Sequence, residues 1–260
     1  MIVCIKQVPE TGNVKIDPKT NTLIREGVSS IINPFDQNAI EAGVQLKERY
    51  GGEVIVITMG PSQAEEALRE AISLGADKGY LITDRLFAGS DTLATAYILS
   101  RAIKKIGDFD LIICGKQAID GDTAQTGPEV AEMLGIPHIS YICAPLEIDE
   151  RKIKAKRELE DGVERLEARL PVLITVTKEA NQPRMPSLKR KMAAKKTEIP
   201  KLSALEIDIE PNLCGLAGSA TQVIQIFAPP KREGRTILSG TPPEMVKNLV
   251  SSLRESKLLP

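Results

Sequence analysis

The sequence predicts an α/β fold: a doubly wound, mostly parallel sheet with a β-hairpin insertion and an extended C-terminal arm. Three features carry that expectation. Short, wholly apolar runs alternate with amphipathic stretches of helical length through the first half, the pattern of parallel strands buried on both faces. Charged and apolar residues then alternate around Asp161-Gly162. Beyond Lys178 the periodicity fades for about 80 residues.

In order along the chain, strands are expected at residues 1–5, 53–58, 79–83, 110–114 and 138–143, with helices at 36–50, 62–74, 91–106 and 124–134. In the second helix Ala64, Ala67, Leu68, Ala71 and Ile72 recur at three- and four-residue spacing and share a face. Asp36 and Ser62 suit N-cap positions, and Gly75 and Gly135 suit the residue just past a helix end. Asp161-Gly162 fits a type I′ turn and would interrupt the helix that residues 158–169 could otherwise form, so residues 145–177 read as a hairpin leading into a buried-type strand at 172–176. These elements make an α/β domain over 1–180. The arm, 181–260, contains one amphipathic helix at 243–258, with Met245, Val246, Leu249, Val250 and Leu253 on one side. An arm this long with one helix is too large for an idle loop, and its scattered apolar residues predict that it lies on a partner subunit.

Composition excludes several classes. The 260 residues are 42% hydrophobic and 27% charged, with net charge −1, so neither a disordered chain nor a nucleic-acid or membrane surface over the whole molecule is expected. Aromatics make only 3%, with no Trp, which argues against a base-stacking platform. Cys4, Cys114, Cys143 and Cys214 form no CxxC pair and suit reduced, packed thiols. No apolar stretch approaches the roughly 20 residues of a membrane span. The chain opens into a strand-like run rather than a signal peptide, and a cytoplasmic location is expected.

No GxGxxG follows the first strand, Gly115-Lys116 lacks the Ser or Thr of a Walker loop, and no GxSxG is present. The single histidine, His138, reads as a packed residue rather than a base, and no cluster has metal-ligand spacing. Two strand-to-helix loops stand out. Residues 118–128, AIDGDTAQTGP, combine Gly121 and Gly127, which permit close backbone approach, with the hydroxyls of Thr123 and Thr126 at a helix start, a suitable anion cradle. The alternative is capping by Asp122 or Thr123 without a ligand. Residues 83–95, TDRLFAGSDTLAT, bring Ser90, Asp91, Thr92 and Thr95 to another helix start, with Thr92 and Thr95 on one face. There the alternative is a cap at Ser90 or Asp91, with Thr95 packed. Two such loops at neighbouring strand ends favour one cleft of dinucleotide size.

CIKQVP at 4–9, INPFD at 32–36, TMGP at 58–61, LGAD at 74–77 and DGDTAQTGP at 120–128 occur in an order that resembles the β subunit of electron transfer flavoprotein, in register from residue 1 to about 230. The resemblance implies a heterodimer with an α subunit that carries an electron-transferring FAD. It also implies an adenine-nucleotide site at the sheet's carboxyl edge. The matching positions are Cys4, Asn33, Pro34, Phe35 and Asp36 around adenosine, Met59 and Gly60 beside them, and Asp120, Gly121, Asp122, Thr123, Ala124, Gln125, Thr126 and Gly127 around phosphate.

Two branches of the family differ there. Housekeeping β subunits hold AMP. The bifurcating, Fix-type branch holds FAD, takes electrons from NADH, and divides them between a low-potential acceptor (ferredoxin or flavodoxin) and, through the α-subunit FAD, a partner dehydrogenase. The motifs at 83–95 and 120–125 resemble the second branch, which implies Ser90, Asp91, Thr92 and Thr95 beside the flavin end. A rival from another class is a stand-alone adenine-nucleotide module, against which the long arm argues.

Residues 178–201 carry eight basic and two acidic residues. In the family this stretch is a recognition loop whose leucine enters a pocket on a flavin-dependent dehydrogenase, acyl-CoA dehydrogenase-like or other. Leu188 matches that leucine, with Lys189 and Arg190 beside it. A solvated loop without a docking role is the alternative.

Overall fold

The computed structural model describes residues 1–10, 15–16, 23–24, 30–225 and 236–259. The strands are β1 (Ile2–Cys4), β2 (Gln7–Pro9), β3 (Lys15–Ile16), β4 (Leu23–Ile24), β5 (Ser30–Ile32), β6 (Ile55–Met59), β7 (Lys78–Ile82), β8 (Leu111–Gly115), β9 (His138–Ile142), β10 (Glu147–Asp149), β11 (Lys152–Leu159), β12 (Gly162–Arg169), β13 (Val172–Val176) and β14 (Lys201–Leu202). The helices are α1 (Pro34–Tyr50), α2 (Glu65–Leu74), α3 (Thr92–Ile106), α4 (Thr126–Leu134), α5 (Leu188–Ala194), α6 (Gly215–Gly218) and α7 (Pro242–Glu255).

One sheet runs in the order β10-β11-β9-β13-β8-β1-β6-β7-β14, and the stretch from β9 to β14 is parallel throughout. Strand residues alternate between two cores. Val3, Val56, Leu81, Ile113 and Ile174 pack with α1 and α2, while Ile2, Ile57, Ile82, Ile112 and Leu173 pack with α3 and α4. Burial on both faces is why these runs are apolar at every position. The expected doubly wound α/β class is what the chain adopts. From β1 the chain adds β6 and β7 on one side, then returns through α3 to place β8 on the other side of β1. The winding reverses between β1 and β8, and ligands of open α/β sheets collect outside the strand ends at such a reversal.

The hairpin forms as expected, with β11 and β12 paired over their full eight residues and β11 joined antiparallel to β9. Its turn differs from the expectation. Leu159 faces Gly162 across the ladder, so Glu160 and Asp161 make the turn, and neither has a positive φ. The left-handed pair lies one turn earlier, at Glu150 (φ 44°) and Arg151 (φ 63°), between β10 and β11. Composition misplaced it because neither residue is Gly or Asn, the usual carriers of that conformation.

Two expected caps also differ. Asn33, not Asp36, is the cap residue of α1, and Asp36 lies inside the first turn. Ser62 opens a 3-10 turn (Ser62–Ala64) that precedes α2, with no side-chain cap on either. Gly75 and Gly135 do end their helices, at φ 133° and 68°. His138 is exposed at the start of β9 rather than packed, at the end of the parallel strands opposite the carboxyl edge.

Residues 1–224 form one compact unit and residues 225–260 a second. The first unit runs past residue 180 because the arm returns to the sheet. Helix α5 packs on α2, and β14 pairs parallel with β7 through Lys201↔Leu81 and Leu202↔Ile82. Within the second unit, α7 starts with a capping box in which Thr241 and Glu244 satisfy each other's backbone N–H, and none of its residues is buried.

Candidate functional site

The reversal point is lined by β1 and β8, whose last residues are in direct register: Cys4 lies opposite Cys114, and both are buried. The Cys4 thiol and burial together push the Cys114 thiol well above the ordinary range, which keeps Cys114 a neutral thiol.

Helix α1 stitches the two strand ends together. Pro34 at its first position lacks an N–H that would otherwise be orphaned. Asn33 therefore spends its side chain across the crevice, donating to the Gln117 carbonyl (2.8 Å) and accepting from the Ile119 N–H (3.1 Å). Asp36 accepts from the backbone N–H of Lys6 (2.7 Å) on one oxygen and of Gly115 (3.2 Å) on the other. Burial pushes the Asp36 carboxyl up to about 7 against those hydrogen bonds. Lys6 Nζ then reaches Asp120 at 2.6 Å, and Lys178 lies over the Phe35 ring, 5.0 Å from its centroid. Gly115 is required at the seam. A Cβ there would stand 2.2 Å from Asp36 Oδ1 and 2.8 Å from the Phe35 carbonyl carbon.

The loop after β8 is wound tightly. The Gln117 side chain donates to Asp122, the Asp122 N–H donates to the Ala118 carbonyl, and Asp122 and Ala124 take left-handed φ of 56° and 55°. Non-glycine residues held in that region cost free energy and cluster at ligand sites. Helix α4 follows with Gln125 at its cap position and no side-chain cap. Neither Asp122 nor Thr123 caps it, so simple capping does not account for this loop. Among the described residues the N–H groups of Thr126 and Gly127 have no side-chain partner, and Pro128 has none to offer. Gly127 is buried because a Cβ would meet Thr175 Cγ2 at 2.8 Å, and its absence lets α4 start flush against β13.

The 83–95 segment arrives from the next helix. Thr92 Oγ1 donates to Glu129 Oε1 at 3.2 Å and lies 3.5 Å from Gln125 Oε1, which brings the two loops together as expected. Thr95 is half-buried one turn further along α3. Ser90 and Asp91 are engaged elsewhere. Ser90 Oγ donates to the Phe87 carbonyl and accepts from the Gly215 N–H. Asp91 caps α3 through Ala94 N–H and accepts from the N–H and hydroxyl of Thr221. Burial draws the Asp91 carboxyl upward, but these donors outweigh it and hold it below the usual range. Met59 and Gly60 close the far side at the end of β6, where the Gly60 N–H bonds the Ile82 carbonyl.

Sequence reasoning missed Lys6, Gln117 and Glu129, which tie this edge together. Lys6 was visible as the lone charge interrupting residues 2–8. Glu129, one helical turn after Gln125, carried a weaker signal. Burial pushes the Glu129 carboxyl up, and its Oε2 and Thr58 Oγ1 are the buried side-chain atoms without a partner among the described residues.

A parallel sheet with an uncapped helix start at its reversal point narrows the families but does not choose one. The model of the electron transfer flavoprotein domain matches residues 20–207. This chain belongs to the electron transfer flavoprotein family. It is 50% identical over 260 residues to the electron transfer flavoprotein subunit beta of Thermoanaerobacterium thermosaccharolyticum, covering 100% of this chain and 99% of that protein. It is 47% identical over 261 residues to the caffeyl-CoA reductase-Etf complex subunit CarD of Acetobacterium woodii (100% and 99%), and 46% identical over 259 residues to protein FixA of Bradyrhizobium diazoefficiens (97% and 90%). The family resemblance carried by the motifs is thereby confirmed, and the β-subunit role in electron transfer with it. No helix among the described residues is long and apolar enough to cross a membrane.

Proposed function

We propose that this chain is the β subunit of a bifurcating electron transfer flavoprotein that holds FAD at the β1/β8 reversal. In that reading it takes electrons from NADH and divides them between ferredoxin or flavodoxin and, through the FAD of its α subunit, a partner dehydrogenase. The observation that carries this reading is the contact of Thr92 with Gln125 and Glu129 over the uncapped start of α4. A mononucleotide would need only the 120–127 loop, whereas a dinucleotide would engage both loops.

The residues present fit the group. The left-handed turn at Asp122 and Ala124 and the N–H groups of Thr126 and Gly127, without side-chain partners among the described residues, suit a diphosphate. Cys4, Asn33, Pro34, Phe35, Asp36, Met59 and Gly60 form the adenosine end. Thr92, Thr95 and the unpartnered oxygen of Glu129 offer hydrogen bonds at the flavin end. Ser90 and Asp91 contribute by holding residues 215–221 against the loop, their side chains being spent there. Bound FAD supplies the redox chemistry, accepting electrons as a pair and releasing them singly. The chain supplies burial, orientation and hydrogen bonds, and no side chain acts as a general base. The CarD and FixA relatives support the bifurcating branch.

Leu188 is 74% exposed, as a docking leucine would be, and burying it in a partner would contribute about 1.5–3 kcal/mol. The decisive experiment is extraction and counting of cofactors from the intact heterodimer. Two FAD per heterodimer are expected. One FAD and one AMP would reduce the chain to a housekeeping carrier, and a colourless monomer would make it a stand-alone nucleotide module.

A further inference from the structure

Residues 184–197 form a strap tied down at both ends. At its start, Arg184 Nε and Nη2 grip the two oxygens of buried Glu41 (2.7 and 3.0 Å), while Nη1 and Nη2 grip Glu48 (2.6 and 2.9 Å). At its end, Arg69 Nη1 donates to the carbonyls of Ala194, Lys195 and Thr197 at 3.0, 3.0 and 2.6 Å, while Nη2 is held by Glu65 at 2.6 Å. The Ala194 and Lys195 carbonyls stand at the C-terminal end of α5 and that of Thr197 just beyond it, and one guanidinium binds all three.

Between the ties, α5 is only seven residues long, and alone a helix of that length does not persist in water. Ala194 is 2% exposed, and Arg190, on the same face four residues earlier, reaches back to Gly75. At 100° per residue, Leu188 and Met192 therefore project directly outward with Lys189, Lys191 and Lys195 around them. Met185, Leu188 and Met192 are 93%, 74% and 61% exposed.

We infer that Arg69 and Arg184 are positioning residues that keep α5 helical before contact. The surface they present, Met185, Leu188 and Met192 within a lysine ring, fits an apolar socket rimmed by carboxylates on a partner flavoprotein dehydrogenase. This rests on the docking reading of Leu188 and adds what prepares the surface. It also moves Arg190 from the contact to the supporting side. A preformed helix lowers the apparent dissociation constant in proportion to its population in the free protein.

The test uses the intact heterodimer, with a purified acyl-CoA dehydrogenase as electron-exchange partner, and variants Arg69→Ala, Arg69→Lys, Met192→Ala and Leu188→Ala. Arg69→Ala is expected to abolish hydrogen-exchange protection across residues 190–195. It should raise KM for the dehydrogenase about five- to ten-fold, with kcat at saturation and cofactor content unchanged. Arg69→Lys should fall between, since a single ammonium nitrogen can approach the carbonyls that Nη1 serves but loses the second arm of the fork that Glu65 holds. Met192→Ala should raise KM by a similar factor with protection intact. If protection survives in Arg69→Ala, or is lost without a change in KM while Leu188→Ala raises it, the positioning role is wrong and the docking reading stands. If Leu188→Ala and Met192→Ala both leave KM alone, the docking reading itself falls.

Discussion

Gly115→Ala tests the construction of the crevice more sharply than any change in the ligand loop. The added methyl would lie 2.2 Å from Asp36 Oδ1 and 2.8 Å from both the Phe35 carbonyl carbon and Cβ, whereas carbon–carbon contacts relax near 3.5 Å or beyond. Moving Asp36 aside would break its bonds to the Gly115 and Lys6 N–H groups, and the Phe35 backbone retreats only if α1 shifts with it. Overpacking of this kind costs about 1–3 kcal/mol. Losing a charge-assisted hydrogen bond adds about 1.5–3 kcal/mol when Asp36 is ionised, so the sum is roughly 2.5–6 kcal/mol. For a unit of this size that lowers Tm by roughly 5–24 °C. Gly162→Ala in the hairpin is the matched control, because nothing lies within 4 Å of its Cβ position and its φ is not positive, and it should stay within about 0.5 kcal/mol of the parent. Calorimetry of the two heterodimers, with cofactor content measured alongside, decides the matter. A Gly115→Ala protein within about 1 kcal/mol of the parent would show that α1 does not seat against the end of β8.

Replacing Thr92 and Thr95 together by Val should lower the flavin held by this chain while the α-bound flavin remains; unchanged stoichiometry removes both from the site. Burial raises the Asp36 carboxyl to about 7 from an ordinary value of 3.8, so the folded state binds the extra proton, and stability falls as pH rises between those values. Asp36→Asn should flatten the unfolding free energy across that window, and an equally steep pH dependence would assign the proton elsewhere. Leu188→Ala should slow electron exchange with the dehydrogenase without bleaching the protein, more visibly at high salt where the surrounding lysines are screened. A rate that matches the parent at every ionic strength contradicts docking through this leucine.

The parallel core was legible because each strand residue is judged on one question, burial on both faces, and Ile2, Val56, Ile112 and Ile174 answer it alike. The loops were legible as composition but not as roles. Asp36 looked like a cap and Asn33 like a ligand position, yet both side chains bond across to groups 79–86 positions away, which local spacing cannot register. Ser90 and Asp91 looked like ligand groups for the same reason: the Gly215 and Thr221 that occupy them are about 125–130 positions distant. The arm was the least legible part. Its two-residue strand β14 has no periodicity to detect and exists because the Leu81 and Thr83 N–H groups at the edge of β7 need the carbonyls of Pro200 and Leu202. Those links have a functional consequence. Segments 199–207 and 211–221 brace β7 and the start of α3, the strand and helix that deliver Thr92 to the α4 loop. In the structure, therefore, the second loop of the crevice is held in place partly by the arm, so residues beyond the parallel strands help set the geometry on which a dinucleotide reading depends.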